Sequence, residues 1–313
     1  MKIFINFGKG FMTTGKTTKM VLFLFIFNLL FSLILAVPMY NSLKNSLGAS
    51  EAGNRMVESF DYIWWEEFRD EAQGLETTFT PSIIGKGAIL TNLESLIQMR
   101  FFSAPPILIG FGLLYIILHT FLAGGILSTF NQDEPRFAVK EFLQGAGSHF
   151  LRFLALMLFS WLFLFAIGAF LHNAILPIID DISSDSYSEV IPFLLMLALN
   201  VIAFFLLLFV QMVFDYARIK AVLEDENNVL KATGKAFRFV FKHPFSTLGL
   251  FYLIFFLNIA VTVIYILVKE TIPQSDVLTV LAAFFLQQLF IFALIWIRCL
   301  LYASQWELYR YLK

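Results

Sequence analysis

The sequence predicts an all-α polytopic membrane protein: six transmembrane helices in three hairpins, with amphipathic elbow helices and one long outer helical loop. Three observations carry this. Of 313 residues, 59% are hydrophobic and 14% charged, against roughly 45–50% and 25% in soluble domains. The apolar residues gather in six runs, each near the ~20 residues that a helix rising ~1.5 Å per residue needs to cross a bilayer. The runs are continuously apolar rather than alternating, which excludes a transmembrane barrel.

The first run, 20–38, follows a basic leader of Lys2, Lys9, Lys16 and Lys19. It is longer than the ~7–15 residues of a secretory signal core, so it is expected to be an uncleaved span. The others are 106–130, 151–179, 190–214, 247–268 and 277–304. Most of the 22 Lys and Arg lie in the leader, the segments 131–150 and 215–246, and the C-terminal end. The alternate segments 39–105, 180–189 and 269–276 are acidic; 180–189 holds Asp180, Asp181, Asp185 and Glu189 and no base. Positive charge stays inside, so both termini are expected in the cytoplasm of a cell with the protein in its inner or plasma membrane.

With both ends inside, the spans pair into hairpins, each entered from a cytoplasmic lead-in. Aligning Lys9, Lys140 and Lys235 places Phe11, Phe142 and Phe237 at one offset, and Pro38, Pro177 and Pro273 near the ends of the odd spans. This hints at three related units. A membrane hairpin that enters with a base and leaves with a proline would look the same. The odd helices of mitochondrial carriers end in Pro-x-Asp/Glu-x-x-Lys/Arg. Here Pro177 is followed by an acid one place late and no base, so that family is rejected.

In the outer segment 39–105, Met56, Phe60, Ile63, Trp64 and Phe68 share one helical face, and Glu58, Asp61, Glu66 and Asp70 lie elsewhere. Leu90, Leu93, Ile97 and Phe101 repeat the pattern beyond breaks at Thr80, Pro81 and Ser82 and at Gly85 and Gly87. Two such helices make a poor independent core. They are expected to lie on the bilayer or cap the bundle, with Trp64 and Trp65 at the headgroups.

The connector 215–246 carries the acids Glu224, Asp225 and Glu226, then Asn227 or Asn228 as the cap of a helix from about Val229. On it Lys231, Lys235, Arg238 and Lys242 make one basic stripe, flanked by Leu230, Phe237 and Phe241, before His243 and Pro244 end it. Basic and aromatic residues at this period suit an elbow on an anionic leaflet, which makes membrane lipids the expected partner. The same lysines also serve simply to hold the loop inside. The near-zero net charge of −1 excludes any overall bias toward nucleic acid.

Most candidate chemistry fails. Gly10, Gly15, Lys16 and Thr17 fit the phosphate-loop pattern G-x-x-x-x-G-K-[ST] literally. That loop needs an entering strand and a sheet, and the first span begins three residues later. His119 and His172 lie in spans two and three with no metal-ligand spacing, and Cys299 stands alone. No span holds an acid near its centre, and no nucleophile elbow occurs. No cofactor, metal or enzymatic activity is expected. What the spans do hold are amides: Asn28, Asn200, Asn258, Gln211, Gln287 and Gln288. With His119 they either bond helix to helix, at about 0.6–2 kcal/mol per pair, or line a polar cavity. Arg298, about two turns inside span six, is expected to pair with Asp215, near Arg218, or with a lipid phosphate.

Three features together, Asp215 to Ile219 after span four, the elbow ending in His243-Pro244, and Arg298 through Tyr309, resemble a group of six-helix bacterial membrane proteins. The layout is similar to YciC-like proteins and to the membrane domains fused to glycerophosphodiester phosphodiesterases. The likeness covers mainly residues 200–313. It implies a six-span bundle with helical elbows and brings no catalytic residue. The expected function is non-enzymatic handling or transport of a small molecule or lipid. The alternative is a scaffold or accessory subunit that binds lipid surface and partner proteins.

Overall fold

The computed structural model describes residues 2–48, 52, 60–80, 106–184, 188–272 and 276–313. Met56, Glu58, Pro81, Ser82, Gly85, Gly87, Leu90, Leu93, Ile97, Phe101, Asp185 and Pro273 fall outside them. The helices are α1 (Lys2–Lys16), α2 (Thr18–Gly48), α3 (Tyr62–Glu71), α4 (Pro106–Phe130), α5 (Val139–Phe170), α6 (Leu176–Ser184), α7 (Val190–Leu223), α8 (Val229–Lys242), α9 (Pro244–Glu270) and α10 (Val277–Leu312). Among the described residues six helical segments, α2, α4, α5 with α6, α7, α9 and α10, are long and apolar enough to cross a membrane. The chain is an all-α, multi-pass membrane protein.

Two prolines expected near helix ends sit inside helices. Pro38 is passed by α2, which runs on to Gly48. A proline removes one backbone bond, but where no water competes for the freed carbonyl, leaving the helix costs more than staying in it. Pro177 is accommodated differently. Leu171–Ile175 widens into a π turn in which the Leu176 N–H reaches the Leu171 carbonyl. The carbonyl that the proline ring would strike, that of Asn173, lies within this wider turn. The second lead-in is likewise not a separate elbow, since Val139–Phe170 is one unbroken helix. The first and third lead-ins are separate, as α1 and α8.

The chain divides into two compact units: residues 1–17, 119–253 and 300–313 form the first, and residues 18–118 and 254–299 the second. In the second unit Phe31 of α2 stacks on Phe111 of α4 at 4.5 Å, and Tyr265 of α9 lies parallel to Phe290 of α10 at 4.1 Å. The extension of α2 past Pro38 has a purpose. Leu43 and Leu47 pack against Ala52, Trp64, Phe68, Trp65 and Phe79 in a small core. Asp61 caps α3 by accepting from the Ile63 and Trp64 N–H groups, each at 3.1 Å. The Trp64 indole N–H donates to Ser46 Oγ at 3.0 Å, and the Ser42 hydroxyl donates to Glu76. Trp64, only 4% exposed, is therefore a core residue of this small module and not a headgroup anchor.

In the first unit α8 packs across α5 and α7. The start of α5 crosses the end of α4 on glycines. A Cβ on Gly125 would come within 2.6 Å of the Phe142 ring, and one on Gly124 within 3.1 Å of the Ala146 carbonyl. The three phenylalanines aligned in sequence occupy different surroundings: Phe142 is buried, Phe237 half-buried and Phe11 exposed.

Candidate functional site: a clamped collar and an apolar groove

The two separate lead-in helices of the first unit, α1 and α8, are turned inside out relative to soluble amphipathic helices. α1 buries Asn6, Gly10 and Thr14, and presents Phe4, Phe11 and Met12 beside its lysines. α8 buries Ala232, Thr233, Ala236, Phe239 and Val240 and exposes Leu230 and Phe241 with Lys231, Arg238 and Lys242. Small residues allow close docking to the protein, and large apolar ones beside cations face outward. That is the pattern of a helix in a lipid interface. The basic stripe read from sequence is not uniform. Lys235, itself exposed, pairs with Glu226 at 2.7 Å and Glu224 at 3.6 Å, and Lys231, Arg238 and Lys242 are exposed as well.

The acids that follow α7 hold four helices together. Asp225 has a positive φ of 47°, in the left-handed region that ends many helices, where Asp is among the better-tolerated residues. From there it meets Arg152 of α5 at 2.5 Å. Glu224 accepts from the Tyr309 hydroxyl at 2.8 Å and faces Lys313 at 3.2 Å and Lys220 at 3.7 Å. Asn228 caps α8 by accepting from the Lys231 N–H at 3.1 Å. Burial pushes the Glu224 carboxyl up, yet the Tyr309 hydroxyl, Lys313 and Lys220 together hold it below its ordinary range. Arg152 lowers Asp225, and Lys235 lowers Glu226.

A carboxylate whose folded pKa is depressed contributes stability above its ordinary pKa and loses it as pH falls through the folded value. The clamp's contribution to the melting temperature of the detergent-solubilised protein should be level from pH 8 to 6 and fall below about pH 4. Glu224→Gln should lower the plateau and flatten that acid limb. An unchanged acid limb in the variant would remove Glu224 from the clamp.

About two and a half turns earlier on α7, Asp215 is fully buried and accepts from Arg218 at 3.0 Å; the same guanidinium nitrogen donates to the Tyr302 hydroxyl at 3.4 Å. Arg298 belongs to the second unit, and its pairing with Asp215 stands as an expectation.

The polar residues of the spans divide between the two units. His119 and Asn200, in the first unit, are exposed. In the second, Asn28 hydrogen-bonds Tyr115, which suits the role of binding helix to helix. Asn258 is half-buried, Gln287 is exposed, and Gln288 has its Oε1 buried without a partner. The groove beside the π turn is instead apolar throughout. It measures about 460 Å³ and runs between α5 and α7, lined by Phe163, Ile167, Leu171, Leu199, Ile202 and Leu206 among others. Asn200 sits between two of these positions and does not line it.

Sequence reasoning missed the buried polar end of α10. Ser304 and Gln305 are fully enclosed, and the Ser304 Oγ, both Gln305 side-chain polar atoms and the Trp306 indole nitrogen lack partners. The available signal was on α1, where Asn6, Gly10 and Thr14 recur every four residues. That helix face is too small and polar to be packed on anything but another helix at close range.

Among the described residues no three His, Cys, Asp or Glu side chains come together as metal ligands. The phosphate-loop pattern lies in α1, whose amides bond within the helix, and the Thr14 hydroxyl donates to the Gly10 carbonyl at 2.9 Å. These features define a multi-pass helical membrane protein whose first unit carries amphipathic lead-in helices, an ionic clamp and an apolar groove. Comparison of the chain with protein-family models, curated proteins and solved structures gives no match.

Proposed function

We propose that this protein handles lipid within the membrane without performing chemistry on it, and that the groove between α5 and α7 seats an acyl chain. The observation that carries this reading is the groove's lining. A site of about 460 Å³ falls in the size range of small-ligand sites, about 300–1,000 Å³, and nothing in its wall would satisfy a polar solute. An acyl chain needs no hydrogen bonds, whereas a sugar or ion would leave its polar groups bare. In this reading both termini, α1, α8 and the clamp face the cytoplasm, in line with the distribution of Lys and Arg. Lys231, Arg238 and Lys242 then ride on the anionic leaflet. The likeness of residues 200–313 to YciC-like proteins belongs to the same reading.

Native mass spectrometry of the protein freed from detergent should find one lipid retained beyond the background of loosely bound ones. Ala166→Trp, at an exposed position on the groove wall, should abolish that retention without lowering the melting temperature. Retention by the filled variant would refute the groove as the seat. A second reading, an accessory subunit, rests on the small module around Trp64, where Tyr62 and Ile63 are exposed on a self-contained core. In that case Ile63→Glu, not Ala166→Trp, would be the variant that impairs function in the cell.

A further inference from the structure

We propose that Lys2, Lys242 and His243 form a seat for the phosphate of an anionic membrane phospholipid, with Phe4 and Phe245 reaching into the acyl region beside it. The site goes beyond the acyl groove. It is built by α1, α8 and α9, and shares with the reading above only that the chain lies in a bilayer.

Three elements bring the cations together. The first turn of α1 is fastened to the second turn of α9, where a Cβ on Gly249 would come within 2.5 Å of Ile3 Cδ1. This fixes the neighbouring Lys2 near the junction of α8 and α9, and its ammonium lies 5.8 Å from the Tyr311 ring centre. His243 ends α8, and its ring stands 5.5 Å from that of Phe239, which in turn packs at 4.7 Å on Tyr309. Lys242 precedes it on the exposed side. Among the described residues no carboxylate forms an ion pair with Lys2, Lys242 or His243, although the clamp acids engage bases elsewhere on α7, α8 and α10. Burial, Lys242 and Lys2, in that order, all disfavour a proton on His243. The three groups thus share a field that an anion would relieve. A neutral imidazole still donates one hydrogen bond, and two ammonium groups supply the charge.

The surroundings choose the source of the phosphate. Phe245 is 89% exposed and Phe4 69% exposed, which water would penalise and lipid tails would not. A free phosphate uses only the cations; a phospholipid uses both.

The test titrates the full-length protein in neutral detergent with phosphatidylglycerol, and separately with phosphatidylcholine, and reads occupancy by native mass spectrometry. Phosphatidylglycerol should bind more tightly. The Lys2→Ala, Lys242→Ala double variant should weaken it roughly thirtyfold, the effect of two cations at an anionic surface. The control pair Lys9→Ala, Lys16→Ala removes the same charge from exposed positions further along α1 and should change binding by no more than about twofold. Equal weakening by both pairs would show diffuse attraction and overturn the site. So would equal binding of phosphatidylcholine, or displacement of the lipid by inorganic phosphate at equal concentration. Should the double variant fail to yield folded protein, Lys242→Gln alone should weaken binding about fivefold. Ala166→Trp should leave phosphatidylglycerol binding here unchanged, which keeps failure of the groove separate from failure of this seat.

Discussion

Asp215→Ala should destabilise the protein by about 3–5 kcal/mol, the cost of leaving a buried charge without its partner. The carboxylate is fully enclosed, and the guanidinium that it meets at 3.0 Å keeps only 14% of its side-chain surface exposed. Removing the acid leaves Arg218 with the Tyr302 hydroxyl at 3.4 Å as its remaining described contact on that nitrogen, and its Nε is already buried without a partner. Asp215→Asn keeps an acceptor and loses only charge, so it should fall between wild type and Ala. The informative variant is Asp215→Leu with Arg218→Met, which replaces the pair by apolar groups of similar size. A pair that costs nearly as much to desolvate as it returns should then be largely dispensable. Thermal unfolding of a fluorescent fusion in detergent ranks the four proteins. A single Ala variant as stable as wild type, or a double variant less stable than either single one, would contradict this account.

Asp215 also shows where the sequence is legible and where it stops. The apolar runs place the long helices well. The expected second span, 106–130, coincides with α4, and the fourth and sixth begin where α7 and α10 begin. The helices then run beyond the runs, α7 to Leu223 and α10 to Leu312, because an apolar run reports the reach of lipid and not of the helix. A helix goes on until something ends it. At α7 that is Asp225 with its left-handed backbone, not the first charged residue. Pro38 misleads for a related reason, since its weight as a breaker is learned from helices in water.

Charges were legible by their place along the chain but not as partners. Lys235 reads as one of four equivalent bases on a stripe, yet it alone reaches Glu226 and Glu224. Lys313 and Tyr309, remote in sequence, complete the same site. Trp64 and Trp65 fit an interfacial belt by composition. Only the extension of α2, with Leu43, Leu47 and Ser46 on it, converts Trp64 into a core residue. The amides were legible as unusual, and their partners, such as Tyr115 for Asn28, were not, because periodicity places a residue on its own helix and says nothing of the neighbour's rotation.

Gly10→Leu should detach α1 at a cost of about 3 kcal/mol, the upper end for overpacking a filled interface. A Cβ at this position would lie 2.7 Å from both the backbone nitrogen and the Cα of Ser304. These are main-chain atoms of α10 that cannot swing aside, so the whole helix must move. Gly8 and Gly15, on the same helix, meet nothing within 4 Å. Changing either to Ala should be neutral or slightly stabilising, since Ala loses less backbone entropy in a helix. This contrast separates two accounts of one motif. In a phosphate loop Gly15 and Lys16 cradle the anion and would be the sensitive positions. In a helix packed on α10, Gly10 is sensitive because of its contact, while Lys16 is exposed and replaceable. Limited proteolysis near the N-terminus, with thermal unfolding in the presence and absence of ATP, distinguishes them. Gly10→Leu should expose the α1–α2 junction to cleavage, and Lys16→Ala should behave as wild type with no response to nucleotide. If instead Lys16→Ala abolished a nucleotide-dependent rise in melting temperature and Gly10→Leu were tolerated, the packing of α1 on Ser304 would not be what holds this end of the chain.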